Sequence, residues 1–117
     1  MNGKNDLIYI KHVLDSMNAI IDFSRGINRK ELVSNRMKQS AIVREIEIIG
    51  EAVKSISKNT KDRYSGIKWE EITGTRDKMI HHYFGVDPDV VLAIVKKDIP
   101  VLKKEILKIE KDFENRQ

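Results

Sequence analysis

The segment MKQSAIVREIEIIGEAVKSI, Met37 to Ile56, decides the fold. Ile42, Ile46, Ile49, Val53 and Ile56 recur at alternating spacings of four and three, the period of one helix face. Ala41, Ile48 and Ala52 add a second apolar row beside it, and polar residues are squeezed into a strip through Arg44, Glu47, Glu51 and Lys54. A single packed neighbour needs a narrower apolar face than this. The helix is therefore expected in the middle of a bundle, with part of its face forming a seam between two copies of the chain.

Upstream, Leu7, Ile10, Leu14, Met17 and Ile21 follow helical spacing, and Gly26 stands as a stop signal. Asn28 can cap the next helix, with Glu31 three residues on in the capping-box position. Downstream, Asn59 to Ile67 (NTKDRYSGI) reads as a polar loop. Trp69 and Ile72 anchor a short helical turn that Gly74 interrupts, and Gly85 ends the segment after it. Asp87 is a good N-cap, Pro88 suits the first helical position, and Val86 can pack on Val91. Val91, Val95, Leu102, Ile106, Ile109 and Phe113 carry the last apolar stripe. Pro100 lacks an N–H and must kink or restart that helix, with Asp98 as the cap of the restart. No alternating strand pattern of useful length appears. The expectation is one all-α domain over residues 1–117, a homodimeric antiparallel bundle of about four to five helices.

A chain of 117 residues fits a single domain with a modest core, which makes association with a partner natural. Hydrophobic residues make up 40%, a globular balance despite 34% charged residues. The absence of cysteine excludes disulfides, zinc–thiolate sites and thiol catalysis. The start, MNGKNDLIYIK, has no basic segment followed by a long apolar stretch, so no secretory signal is read there. No apolar run reaches the ~20 residues a membrane span needs, and a cytoplasmic protein without membrane association is expected. The net charge of +4 is compatible with a polyanionic partner, although most of these lysines read as solvated surface.

The chemistry, if any, lies in TRDKMIHHYF, Thr75 to Phe84, which gathers Arg76, Asp77, His81, His82 and Tyr83. Read as a helix, it places Asp77 and His81 four apart on one face, where a carboxylate fixes the imidazole tautomer and favours its charged form. Arg76 adds a planar cation suited to holding a phosphate by two hydrogen bonds. A cation, a histidine and an orienting carboxylate are the parts of phosphodiester cleavage. On a regular helix, however, Arg76 and His81 point roughly 140° apart. The long arginine side chain, an irregular start after Gly74, or a second subunit would each bring them together. The same residues also have ordinary readings: Arg76 and Asp77 as surface charges, His81 as a structural histidine, His82 as a solvent or interface residue, Tyr83 and Phe84 as the end of a core. The spacing completes no metal-ligand set, and Gly66 and Gly74 fit no nucleotide-binding loop, so neither metal nor cofactor is expected.

Arg76, four residues, His81, one residue and Tyr83 match the RX4HXY signature of the HepT-like toxins of the HEPN superfamily. Ile48-Ile49-Gly50-Glu51-Ala52 resembles the family's IIGEA helix, and IKWEEITGTRD resembles its tryptophan-containing approach to the motif. Tyr83-Phe84-Gly85-Val86-Asp87 and Asp98-Ile99-Pro100-x-Leu102 are similar to its final helices, so the resemblance runs from about Leu7 to Leu107. It implies a dimeric all-α bundle acting as a metal-independent ribonuclease, with Arg76 and His81 catalytic and Asp77 supporting. It also implies the toxin half of a toxin–antitoxin pair. The antitoxin would be a minimal, MntA-like nucleotidyltransferase that silences the toxin by transferring AMP to Tyr83, in a homodimer or larger hetero-oligomer. Two positions depart from the pattern: Asp77 stands where asparagine is common, and Lys68 where proline usually precedes Trp69. The negative charge of Asp77 is expected to weaken attraction for RNA. Two other readings compete with the nuclease: a non-catalytic dimeric module that docks a nucleotidyltransferase, and a nucleotide-binding helper with Arg76 on a phosphate.

Overall fold

The apolar stripes and the cap residues between them resolve into three long helical rods joined by short helical turns. The computed structural model describes residues 2–81 and 85–116, with the backbone alone at 2–4 and 81. The first rod is α1 (Asn2–Phe23), which ends where Gly26 takes a left-handed φ of +70°. The turn α2 (Arg29–Ser34) starts at Asn28, whose Oδ1 accepts from the Glu31 N–H at 2.8 Å. Asn35 then caps the second rod, α3 (Arg36–Ser55), accepting from the Lys38 N–H at 3.0 Å.

All five residues of the α3 stripe, Ile42, Ile46, Ile49, Val53 and Ile56, are buried, as is Ala52, while Ile48 and Ala41 are half-buried. The width of the apolar face has the first of its expected explanations: α3 packs against α1, α2 and two short helices that follow it. Leu7, Ile10, Leu14 and Met17 of α1 complete the layer, joined by Val13 and Ile20.

The first part of the stretch read as a polar loop is instead helical, in α4 (Lys58–Arg63), a correction with a long-range cause, while residues 64–67 form a turn. Ser57 caps this helix, its Oγ accepting from the Thr60 N–H. Asp6, 1% exposed on α1, holds the cap in place. Its carboxylate accepts the Ser57 N–H at 2.9 Å, the Ser57 hydroxyl at 2.6 Å and the Thr60 hydroxyl. Trp69 is buried at the start of α5 (Trp69–Thr73), and its indole N–H donates to the carbonyls of Lys61 and Tyr64.

At Gly50, α3 runs close beneath the end of α5. A Cβ there would sit 3.5 Å from the Ile72 carbonyl oxygen and 3.8 Å from that of Thr73. Alanine just fits and removes a glycine from a helix interior, worth up to ~1 kcal/mol. A larger branched side chain has to push the α5 backbone away. Gly50→Ala is thus expected to be neutral or slightly stabilising in urea unfolding, and Gly50→Ile to cost about 1–3 kcal/mol.

The last rod is α7 (Pro88–Ala93), a π-helical turn (Ile94–Asp98) and α8 (Ile99–Asn115) in unbroken succession. Asp87 caps α7, accepting the N–H groups of Asp89 at 3.0 Å and Val90 at 3.3 Å, with Pro88 at the first helical position. Pro100 lies in the first turn of α8, which follows the π-helical turn, but receives no side-chain cap. Asp98 stays helical at φ −77°, ψ −46° and its side chain caps nothing. The wide turn absorbs the proline instead, as the Ile99 N–H reaches back to the Ile94 carbonyl. Val91, Val95, Ile106, Ile109 and Phe113 face inward and are buried, and α8 lies against α1, tied at the surface by Lys11 to Glu110 and Glu114. No helix among the described residues is long and apolar enough to cross a membrane.

Candidate active site

Gly74 closes α5, its N–H donating to the Glu70 carbonyl at 3.0 Å, and the chain restarts at once as α6 (Thr75–Met79). Met79 is fully buried and pins this single turn to the core, which leaves Arg76, Asp77 and Lys78 exposed on its outer side. The helix stops there. The Met79 carbonyl, which a continuing helix would offer to residue 83, accepts the Asp87 N–H at 2.7 Å instead. Ile80–His81 (β1) and Gly85–Val86 (β2) form a small antiparallel hairpin, with Ile80 opposite Val86 and His81 opposite Gly85. Gly85, at φ +73°, supplies the left-handed conformation that the return requires.

This overturns the helical reading of the motif. Asp77 and His81 are not neighbours one turn apart, because His81 lies on extended backbone beyond the helix end. The angular objection to Arg76 and His81 acting together falls for the same reason: it assumed regular winding across residues that leave the helix. His82, Tyr83 and Phe84 lie outside the described residues, as does the His81 side chain.

Arg76 has a partner that the sequence did not suggest. Its Nε donates to Glu47 Oε2 at 2.8 Å, joining α6 to α3. The guanidinium side chain is 63% exposed and the Glu47 carboxylate only 20% exposed. The anchored member is the glutamate, and the free end is the cation. With Nε engaged and no other partner among the described residues, the two terminal nitrogens of the guanidinium can meet a bound anion. An ion pair this open adds at most ~1 kcal/mol to stability, so its value is in placing the arginine. Glu47 appeared in the sequence only as one residue of the polar strip on α3, and nothing local links it to a position 29 residues away.

The opposite flank of α6 borders an apolar groove of about 510 Å³. Ile46, Ile49, Ile72, Ile94 and Leu102 line it together with Thr75 and Lys78 from α6. Among the described residues no group of three or more His, Asp or Glu side chains is arranged to hold a metal ion.

Comparison with known proteins shows the family. A family model described as Ribonuclease HepT-like matches residues 13–109, and the chain belongs to this family of HepT-like ribonucleases. A Methanocaldococcus jannaschii protein named "Putative RNase" is 42% identical over 108 residues, spanning 92% of this chain and 89% of the relative. A Thermococcus cleftensis protein named "Probable ribonuclease HepT" is 39% identical over 103 residues, 88% of this chain and 94% of its own. Another M. jannaschii relative, named "Gamma-glutamylcyclotransferase and putative RNase", is 39% identical over 111 residues, 95% of this chain; the chain spans half of its length. No solved structure matches.

Proposed function

We propose that the protein is the toxin of a toxin–antitoxin pair, a metal-independent endoribonuclease that works as a homodimer in the cytoplasm. The observation that carries this reading is the exposed end of Arg76, braced at Nε by Glu47 on a helix that runs directly into the hairpin bearing His81. Arg76 binds the scissile phosphate and neutralises the charge that grows on its oxygens in the transition state. His81 takes the proton of the ribose 2′-hydroxyl or delivers one to the departing 5′-oxygen. The 2′-oxygen bonds to phosphorus as the bond to the 5′-oxygen breaks, so the reaction needs no added oxidant or metal. Asp77, one residue from Arg76, supports His81 by its charge; helical register plays no part in this.

Dimerisation brings two such motifs together and supplies one histidine as base and one as acid. Apolar surface left on a single copy supports pairing: Met37 at the head of α3 is 82% exposed, and Val101 beside the groove is 65% exposed. The same surface suits a minimal nucleotidyltransferase antitoxin, which silences the toxin by placing AMP on Tyr83. The added phosphodiester would compete with RNA for the nearby cation.

Purified protein incubated with a labelled RNA in excess EDTA is expected to cleave it, with a rate that falls steeply as salt rises. A folded dimer that leaves RNA intact favours the non-catalytic docking module. Co-expression with a cognate nucleotidyltransferase is expected to add at least one AMP mass to the Tyr83 peptide and to abolish cleavage. An unmodified peptide from an inactive complex counts against this mode of control.

A further inference from the structure

Resting on the ribonuclease reading, we propose that Glu47 is a positioning residue that holds the Arg76 guanidinium in the orientation needed to chelate a phosphate. A free arginine side chain on an exposed helical turn samples many rotamers, and its planar fork is useful only when aimed. Glu47 removes that freedom through one nitrogen, Nε, at 2.8 Å, and its own side chain, projecting from α3, is four-fifths buried. The choice of nitrogen matters. A contact at Nη1 and Nη2 would occupy the edge a phosphate needs, whereas the contact to Glu47 is made at Nε. The neighbours of Glu47 on α3, Ile46 and Ile48, are buried and half-buried, so the carboxylate emerges from a rigid, packed helix. Gly50, one turn further on, lets α5 approach α3 closely and so sets the height at which α6 and its arginine begin. The negative charge of Glu47 also opposes RNA binding. The carboxylate therefore trades affinity for alignment.

The test is steady-state cleavage of a short labelled RNA by the full-length wild type, Glu47→Ala and Glu47→Gln, with melting curves alongside. Glu47→Ala is expected to lower kcat about 10- to 100-fold, the range that misplacing a reacting group produces, with KM unchanged or lower. Glu47→Gln keeps an oxygen that accepts the Nε–H, and is expected to recover most of the lost kcat and to show a lower KM, since a negative charge is gone. Melting temperatures of all three are expected to agree within a few degrees. In an Arg76→Lys background, where there is no Nε–H to hold, removing Glu47 is expected to cost far less. A wild-type kcat in Glu47→Ala overturns the proposal, and so does a rise in kcat/KM, which would make Glu47 a competitor of RNA and nothing more. If the wild type leaves RNA intact, the ribonuclease reading falls, and the Arg76 Nε–H resonance decides the positioning claim separately. A slowly exchanging signal in wild type and Glu47→Gln that is lost in Glu47→Ala upholds it; the same signal in all three refutes it.

Discussion

Replacing His81 by alanine is expected to reduce RNA cleavage by about 10²–10⁴-fold, the usual contribution of one general acid–base group. Arg76→Ala is expected to cost about 10²–10³-fold by leaving the developing phosphate charge uncompensated. Both measurements belong under single-turnover conditions, where product release does not mask the chemistry. Neither substitution should disturb the bundle. Arg76 is largely exposed and its ion pair with Glu47 is a surface contact, while the backbone at His81 is held by pairing with Gly85, which does not depend on the side chain. Melting temperatures close to wild type are therefore part of the expected result. A variant that unfolds says nothing of catalysis, and for that case His81→Gln and Arg76→Gln keep polarity and size. A folded His81→Ala variant that still cleaves removes the histidine from the mechanism.

The largest expected effect on stability lies far from the motif. Asp6→Ala is expected to destabilise the fold by about 3 kcal/mol, because it strands three donors that now share one buried carboxylate. At about 4 °C per kcal/mol for a chain of this size, the melting temperature should fall by roughly 12 °C. Asp6→Asn retains an acceptor for the Ser57 N–H and should lose about half as much. Ser57→Ala and Asp6→Ala combined should cost clearly less than the sum of the two, since each removes part of the same network. A loss under ~1 kcal/mol for Asp6→Ala would mean that water replaces the carboxylate and that α4 does not depend on α1.

What could be read from the sequence was local or periodic. The α3 stripe, the caps at Asn28 and Asp87 and the stop at Gly26 each depend on residues within a few positions of one another, and each forms as expected. What escaped was set by partners distant in the chain. The α4 helix depends on Asp6, 51 residues before Ser57. Glu47 meets Arg76 across 29 residues. The hairpin at Ile80–His81 was hidden because the run TRDKMIHHYF has helical spacing throughout; the chain is drawn back by the pairing of Ile80 and His81 with Val86 and Gly85 and by the bond from the Asp87 N–H to the Met79 carbonyl. The site residues were therefore legible as a set, and their arrangement was not. At Pro100 the sequence announced a break, and the helix accommodated it by a wider turn.

The bond between Met79 and Asp87 has a consequence for how such a protein can be controlled. It staples the two ends of the intervening segment at its base, and Asp87 simultaneously anchors the head of α7. With AMP placed on Tyr83 as proposed, the adduct would load a span whose two ends this bond already joins, and the modified protein is expected to melt within a few degrees of the unmodified one.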